Sequence, residues 1–206
     1  MAHPNIVKIF ELYDDIEKPE MYLLMERAQY GQIQDTSGAK PGDLVCRKKE
    51  IYDIAVKKGK TIWPAQSSCS DVENAAKWIF HQVAEAMQFL HDKMHIVHRD
   101  LKHENILMGL KSPDPWCEDE RQPTIKVCDF TTAFVLPSAD YRESVNAGTL
   151  AFNAPELFTQ PDCLPKPLDV WAFGVSLYVY LTNNLPVSLD GDFEQNLEKA
   201  DFTNIV

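Results

Sequence analysis

Residues 169–182, DVWAFGVSLYVYLT, restrict the fold more than any other stretch, because they are apolar on all sides after the first residue. A helix with apolar residues all round must be covered by other elements or lie in a membrane. Since a bilayer span needs about 18 or more apolar residues, this helix is too short to cross one. The pattern therefore predicts a helix buried on every side. Asp169 at its start predicts a specific partner, because an unpaired buried charge is costly.

A second helix is predicted over residues 71–93. Ser70 and Glu73 have the spacing of a capping box, in which each side chain bonds an orphan backbone N–H. One apolar stripe follows at helical spacing and predicts a core-facing surface. Its members are Ala75, Ile79, Val83, Met87 and Leu90.

Short apolar runs predict strands at residues 21–27, 106–110 and 124–130, the first of them buried. Residues 95–97 form a further short apolar run. The connections at residues 29–70 and 111–123 are predicted to be irregular, since Gly, Pro and charged residues interrupt them. One short helix is expected within the first connection, around residues 47–58.

Composition excludes several classes of protein. The chain has 206 residues, with 31 Asp and Glu against 20 Lys and Arg, which gives a formal net charge of -11. This acidic balance argues against nucleic-acid binding, and the first ten residues lack the pattern of a signal peptide. Five scattered cysteines without C-x-x-C spacing argue against a disulfide framework and against a zinc site. Reduced thiols, and so a cytoplasmic location, are expected.

The residues that carry chemistry lie in HRDLKHEN at residues 98–105, which has the spacing H-R-D-L-x-x-x-N. Asp129 and Phe130 follow directly after the strand-like Ile125–Cys128. The tripeptide Ala154-Pro155-Glu156 comes later in the chain. Each motif alone is a weak signal, but three in this order are a strong one.

These motifs resemble those of the protein kinase family. Lys102, two residues after Asp100, is typical of its serine/threonine members. The resemblance implies phosphoryl transfer, which needs positioning and charge neutralisation more than covalent chemistry. Asp100 would accept or orient the proton of the substrate hydroxyl, and Lys102 would reach the transferred phosphate. Asn105 and Asp129 would be oxygen ligands for Mg²⁺ ions that bridge the phosphates of ATP.

The resemblance also implies where the nucleotide lies. Residues 22–26 are similar to the strand that enters the hinge between the two lobes of a kinase. Met25 would then be the gatekeeper, and Glu26 to Ala28 would be the hinge that faces adenine. Leu107 would be the floor of the adenine pocket.

Further residues are assigned by the resemblance to the catalytic loop and the substrate. Arg99 stands where such kinases pair a phosphorylated residue of the activation segment. Gly148 and Thr149 would form the substrate-docking loop, with Thr149 near Asp100. Asp169 would hold the backbone of the catalytic loop, and His98 is expected to be a packed structural residue.

Four stretches are similar to the calcium/calmodulin-dependent protein kinase kinase group: HPNIVKIFELYDD, YLLMERAQYGQI, AGTLAFNAPE and KPLDVWAFGVSLYVYLTNNLP. Upstream kinases of the AMP-activated kinase pathway share much of this pattern. The group phosphorylates the activation-loop threonine of other kinases, so the expected partners are ATP and a protein substrate that is itself a kinase. Calmodulin would bind only through segments absent from this chain.

The sequence departs from the family pattern in three respects. A glycine-rich loop and a V-A-I-K lysine do not precede His3, so no residue is assigned to the lysine–glutamate pair that positions ATP. Thr131 replaces the glycine of D-F-G with a β-branched residue that restricts the backbone. The chain also ends soon after residue 182, so a fragment truncated at its C-terminal end is expected.

Two features of the polar segments have more than one possible interpretation. The basic residues between 47 and 60 form either a solvated face or a docking patch for an acidic substrate kinase. In the activation segment, Ser144 is the best-placed phosphosite, and Thr132, Ser138 and Tyr141 are other candidates.

The expected fold class is α+β and kinase-like. Residues 1–28 would be a remnant of the small-lobe sheet, residues 29–206 the helical large lobe, and ATP would lie between the two. One functional interpretation is a serine/threonine kinase that transfers the γ-phosphate of ATP to a protein hydroxyl. The alternative is a non-catalytic scaffold, or pseudokinase, that binds a partner kinase.

Overall fold

The structure is a computed structural model that describes residues 2–14, 20–34, 71–111, 122–143, 147–160, 162–189, 191 and 193–200. The chain forms two units. The first holds residues 1–89 and 104–128, and the second holds residues 90–103 and 129–206. The predicted boundary between residues 28 and 29 falls inside the first unit and stays a prediction.

Small sheets and helices alternate along the described residues. The strands are β1 (Ile9–Asp14), β2 (Met21–Met25), β3 (Gly31–Gln32), β4 (Ile96–Val97), β5 (Ile106–Lys111), β6 (Gln122–Val127) and β7 (Phe134–Val135). The α-helices are α1 (Asp71–Gln88), α2 (Glu156–Thr159), α3 (Pro165–Thr182) and α4 (Phe193–Lys199). A π-helical turn covers Phe89–Lys93, and short 3₁₀ helices cover His103–Asn105 and Leu150–Phe152.

The first unit begins with an antiparallel hairpin of β1 and β2, in which Leu12 lies opposite Leu23. The predicted strand at residues 21–27 is therefore confirmed over Met21–Met25. Its predicted burial is wrong, because every residue of both strands is exposed. An apolar run favours extended backbone, whereas burial depends on what packs against the strand.

The long helix α1 and the π-helical turn after it confirm the predicted helix at residues 71–93. The predicted apolar stripe from Ala75 to Leu90 is buried. α1 packs against β6, which belongs to an antiparallel sheet of strand order β3-β5-β6. The strand predicted at residues 106–110 is the central strand β5, and the one predicted at 124–130 is the edge strand β6, which ends at Val127 rather than Phe130. Leu107 of β5 lies opposite Lys126 of β6.

In the second unit, β4 pairs antiparallel with β7 and packs against α3. One small core joins Ala154, Cys163 and Leu168. Another joins Val187, Phe193 and Leu197, beside α4. The unit therefore surrounds α3 with short elements on several sides.

The predicted apolar helix is present, but two details of the prediction are wrong. The helix begins at Pro165 rather than Asp169, because prolines are tolerated in a first turn whose N–H groups have no helical partner. It is also not buried on every side, since Val170 is 63% exposed and Gly174 and Leu181 lie on the same open face. The helix predicted around residues 47–58 lies outside the described residues, as does the middle of the predicted connection at residues 111–123.

Candidate active site

One buried carboxylate fixes the backbone of the loop that contains His98 and Arg99. Asp169 is 1% exposed and accepts hydrogen bonds from the backbone N–H groups of both residues, each at 2.8 Å. Its Oδ2 also lies 2.8 Å from Nε2 of His91. Several hydrogen bonds to one carboxylate satisfy a charge that would otherwise be costly to bury. The predicted partner of Asp169 is thus the backbone of the predicted catalytic loop.

The same loop has an unusual backbone at Arg99, whose φ of 67° lies in the left-handed region. A non-glycine residue adopts this conformation at a cost that surrounding contacts must offset. Gly148 lies directly against it: a Cβ on Gly148, whose φ is +86°, would be 2.2 Å from the Arg99 carbonyl oxygen. Only glycine therefore allows the segment before Thr149 to approach the loop this closely.

Asp100, Lys102 and Thr149 form a closed network of charged and hydroxyl groups. The Thr149 hydroxyl donates to Oδ1 of Asp100 at 2.7 Å, and Nζ of Lys102 lies 3.0 Å from Oδ2. Lys102 also donates to the Thr149 hydroxyl oxygen at 2.7 Å. An alcohol oxygen is thus held next to a carboxylate that can accept its proton and an ammonium that can neutralise nearby negative charge. Of the predicted site residues, these three are brought together.

A cavity in the second unit is lined by two members of this network, Asp100 and Thr149. Its lining includes Arg99, Asp100, Glu143, Thr149, Phe152 and Asp169. The predicted structural role of His98 agrees with its position, since the residue is fully buried and its ring centroid lies 5.0 Å from that of Phe130.

Asp129 is exposed and has a φ of 62°. The hydroxyl of Thr131, the residue that replaces glycine in D-F-G, donates to Oδ1 of Asp129 at 2.7 Å. The substitution therefore adds a hydrogen bond to the carboxylate that the resemblance assigns to the metal. Both contacts between Thr131 and Asp129, from the hydroxyl and from the backbone N–H, are made to Oδ1 rather than to Oδ2.

Asn105 belongs to the first unit, whereas Asp129 belongs to the second. Asn105 is 6% exposed, and its backbone carbonyl accepts a hydrogen bond from the Cys128 N–H at 3.0 Å. Leu107 follows on β5, opposite Gln32 of β3 and Lys126 of β6.

The predicted hinge follows β2 in the first unit. Met25 ends this strand and is 47% exposed. The N–H of Glu26 donates to the Lys8 carbonyl at 2.8 Å, and its carboxylate lies 2.9 Å from Nζ of Lys126, whose side chain is almost fully buried. Ala28 lies against β5, since a Cβ on Gly109 would be 3.5 Å from the Ala28 Cα. Sequence reasoning missed Lys126, although a lysine within an apolar strand was a signal that a carboxylate lies nearby.

Sequence reasoning also missed Glu143, the partner of Arg99. The Arg99 Nη2 donates to Oε2 of Glu143, and the Glu143 side chain is 4% exposed. The Arg99 guanidinium also lies 4.4 Å from the centroid of the Phe134 ring. An acidic residue in a polar segment usually faces solvent, so the sequence contained no signal for this pair.

Burial raises the pKa of the Cys163 thiol, and the carboxylates of Glu156 and Glu143 raise it further. A thiol with a raised pKa is protonated at neutral pH and is a weak nucleophile. Cys163 therefore acts as a packing residue of the small core with Ala154 and Leu168.

The described residues have neither a metal centre built from clustered side chains nor a membrane-spanning helix. They contain no group of three or more His, Cys, Asp or Glu side chains arranged to hold a metal by themselves. They also contain no helix that is long and apolar enough to cross a membrane.

Comparison with known proteins shows which family and which proteins this chain resembles in sequence. The family described as "Protein kinase domain" matches residues 1–205. Serine/threonine-protein kinase D2 of Homo sapiens is 37% identical over 202 residues, which is 98% of this chain and 18% of that protein. Calcium-dependent protein kinase 3 of Plasmodium yoelii yoelii is 30% identical over 194 residues, which is 94% of this chain and 28% of that protein. The chain thus spans less than a third of the length of either relative.

Proposed function

Because the chain belongs to the protein kinase family, with the mixed α/β fold of that family, we propose that it transfers the γ-phosphate of ATP to a serine or threonine hydroxyl of a protein. One of the named relatives is a serine/threonine-protein kinase, which supports this class of acceptor. The single observation that carries the proposal is the network of Asp100, Lys102 and Thr149, in which a hydroxyl lies 2.7 Å from a carboxylate and from an ammonium.

In the proposed reaction, the substrate hydroxyl occupies the position beside Asp100 that the Thr149 hydroxyl indicates. Its oxygen forms a bond to the γ-phosphorus of ATP, while the bond from that phosphorus to the bridging oxygen of ADP breaks. Asp100 accepts the proton of the hydroxyl. Lys102 neutralises charge on the transferred phosphoryl group. Arg99 and Asp169 keep the backbone that presents Asp100 in place.

On the resemblance alone, Asn105 and Asp129 are each proposed as a ligand of the divalent metal that the family uses with ATP. Their side chains offer an amide oxygen and a carboxylate, and hard oxygen donors of this kind fit Mg²⁺. When bound, Mg²⁺ supplies charge neutralisation at the phosphates. The Thr131 hydroxyl uses one oxygen of Asp129 and leaves the other for the metal. Met25, Glu26, Ala28 and Leu107 are proposed to contact adenine, with the Glu26 side chain retained by Lys126.

The test is transfer of labelled γ-phosphate to a peptide library containing serine and threonine, in the presence of Mg²⁺. We expect Asp100→Asn to lower kcat by about 10²- to 10⁴-fold, the usual contribution of a positioned proton acceptor. Asp140→Asn is the matched control, because it makes the same chemical change at an exposed residue of the same unit. Equal rates for Asp100→Asn and the original chain would overturn the proposed role.

A non-catalytic scaffold that binds a partner kinase is the second candidate. The hydrogen bond from Thr131 to Asp129 favours it, because it occupies one of the two carboxylate oxygens with which Asp129 could bind a metal. Calorimetry with ATP and Mg²⁺ distinguishes the two functions. Nucleotide binding without phosphate transfer would support the scaffold, whereas transfer that Asp100→Asn abolishes would exclude it.

The finer proposal concerns the substrate, which we infer to be another kinase in the cytoplasm. The stretches similar to the calcium/calmodulin-dependent protein kinase kinase group support it. Peptides from kinase activation segments, each paired with a version in which the threonine is alanine, provide the test. Preferential phosphorylation of the threonine peptides is expected, and equal labelling of both sets would contradict this substrate class.

A further inference from the structure

We propose that Glu143 is a positioning residue that holds Arg99, and through it Asp100, without any phosphate on the chain. The inference rests on the proposed kinase function and concerns how the same site is kept in order. The resemblance implies a phosphorylated partner for Arg99, with Ser144 as the best-placed phosphosite. In the structure, the position beside the guanidinium is already filled by a carboxylate of the same chain.

The contact between Arg99 and Glu143 is largely withdrawn from water. The two side chains are 14% and 4% exposed. Breaking a pair of this kind by removing one partner is costly, because the other charge stays buried without compensation. The Phe134 ring covers the guanidinium at 4.4 Å and stacks on Tyr141, with 5.3 Å between the ring centroids. Aromatic cover of this kind strengthens the electrostatic interaction by excluding solvent.

Glu143 is itself held by its backbone. Its N–H donates to the Cys163 carbonyl at 3.1 Å, and the Cys163 N–H donates to the Glu143 carbonyl at 3.0 Å. The Cys163 thiol adds a longer contact to the same carbonyl at 3.7 Å. Because the N–H and the carbonyl of Glu143 are both hydrogen-bonded, its backbone is fixed, and its side chain has little freedom to move away from Arg99. The carboxylate is therefore pre-organised as the partner of Arg99.

The link from Glu143 to Asp100 is short. Arg99 precedes Asp100 directly in the chain, and its backbone has the left-handed conformation described above. Asp169 fixes the N–H of Arg99, while Glu143 fixes its guanidinium. The backbone N–H and the guanidinium of Arg99, the residue before Asp100, are thus each bound by a carboxylate. A mispositioned Arg99 side chain would release the strained backbone that presents Asp100 to the substrate.

Electrostatics also argue against a phosphate as the second partner. A phosphate carries a charge of about -1.5 to -2 at neutral pH, and beside a buried carboxylate it is repelled. Lys102 is engaged with Asp100 and Thr149, so it does not offset that repulsion. One arginine and one carboxylate neutralise each other without further ions. The proposed kinase is therefore competent before any phosphorylation of its activation segment.

The first experiment compares phosphate transfer by the phosphatase-treated chain and its variants. We expect phosphatase treatment to leave the rate of the original chain unchanged. Glu143→Gln is expected to lower kcat on the order of 100-fold, the effect of a displacement of about 1 Å at a reacting group, with KM for ATP unchanged. Glu143→Asp should recover part of the rate. Asp140→Asn is the matched control, since it removes an exposed carboxylate of the same segment.

Two results would overturn the inference. One is loss of activity when the original chain is treated with phosphatase. The other is a Glu143→Gln variant as active as Asp140→Asn. A merely structural role would lower the melting temperature without separating kcat from KM, so both kinetic constants and the melting temperature are measured on every variant.

Hydrogen exchange at the amides of Glu143 and Cys163 tests the pair without requiring activity. In the phosphatase-treated chain these two amides should be protected, and Glu143→Gln and Arg99→Gln should each expose them while Asp140→Asn does not. If this pattern appears in a chain that transfers no phosphate, the proposed function fails while the positioning pair stands. Unprotected amides in the phosphatase-treated original chain would overturn the pair itself.

Discussion

Gly148 shows how a single residue determines the approach of one segment to another within the second unit. Its φ of +86° is unfavourable for other residues, and a Cβ there would meet the Arg99 carbonyl oxygen at 2.2 Å. The conformation and the space both require glycine. Because Thr149 follows directly, the hydrogen bonds from Thr149 to Asp100 and Lys102 depend on this residue.

We predict that Gly148→Ala lowers the free energy of unfolding by about 2–4 kcal/mol, because it combines backbone strain with a backbone clash. Phosphate transfer should fall as well, since Thr149 moves away from Asp100. Urea denaturation monitored by circular dichroism gives the stability. Gly174→Ala is the control: a Cβ there meets no atom within 4 Å, and a helix interior gains about 0.5–1 kcal/mol from the change. A Gly148→Ala variant as stable as Gly174→Ala would contradict the prediction.

For single residues, the sequence was enough to predict a contact when both partners lie in one short motif. Asp100 and Lys102 are two positions apart, so their ion pair is local. Thr149 was predicted near Asp100 only because the resemblance supplied the distant contact. Glu143 lies 44 residues from Arg99 in the chain, and neither local spacing nor charge pattern distinguishes it from its exposed acidic neighbour Asp140. The contact exists because the fold brings two distant segments together.

Among the elements, α1 was predictable because its apolar residues recur at helical spacing over five turns. The bounds and burial of α3 were not, for two physical reasons. The apolar run begins only at Asp169, whereas the helix begins at Pro165, because a first helical turn accepts proline. The run of apolar residues indicated burial all round, yet Val170 and Leu181 are exposed. Hydrophobicity shows that a helix can be buried, whereas neighbouring elements determine which faces are.

The attachment of α1 to the sheet depends on one polar residue that periodicity did not reveal. Gln82 is 8% exposed and lies among apolar residues of the helix. Its Oε1 accepts hydrogen bonds from the Ile125 N–H at 3.1 Å and from the Asn5 amide at 3.0 Å. The Asn5 amide also donates to the Ile125 carbonyl at 2.9 Å. Gln82 therefore joins the helix, β6 and the N-terminal segment.

We predict that Gln82→Leu lowers the free energy of unfolding by about 2–4 kcal/mol, because it leaves the buried Ile125 N–H and one N–H of the Asn5 amide without their acceptor. The denaturation midpoint should fall while its slope with denaturant stays constant. Gln88→Leu makes the same change at an exposed position of the same helix and should shift stability by less than about 0.5 kcal/mol. Equal midpoints for the two variants would show that the Gln82 bonds contribute nothing net.

For the molecule as a whole, charge and exposed apolar surface act in opposite directions on self-association. The net charge of -11 makes copies of the chain repel each other. The hairpin of β1 and β2, however, exposes apolar residues along both strands, including Phe10 at 55% and Met21 at 66%. Large exposed apolar patches and open strand edges favour association. The balance depends on salt, because a Debye length of about 10 Å at 0.1 M shortens to about 3 Å at 1 M.

We therefore predict that the chain associates through this hairpin and that association increases as salt rises, because screening removes the repulsion while apolar burial persists. Sedimentation velocity at several concentrations and two salt levels measures this association.

The double variant Leu12→Lys with Leu23→Glu replaces a directly opposed apolar pair with opposite charges that suit facing positions of a sheet, and it leaves the net charge unchanged. It should remain monomeric at high salt. Val170→Thr, which changes a single exposed apolar residue of α3 without changing the charge, should associate like the original chain. Association of the hairpin variant that matches the original chain would place the contact surface elsewhere.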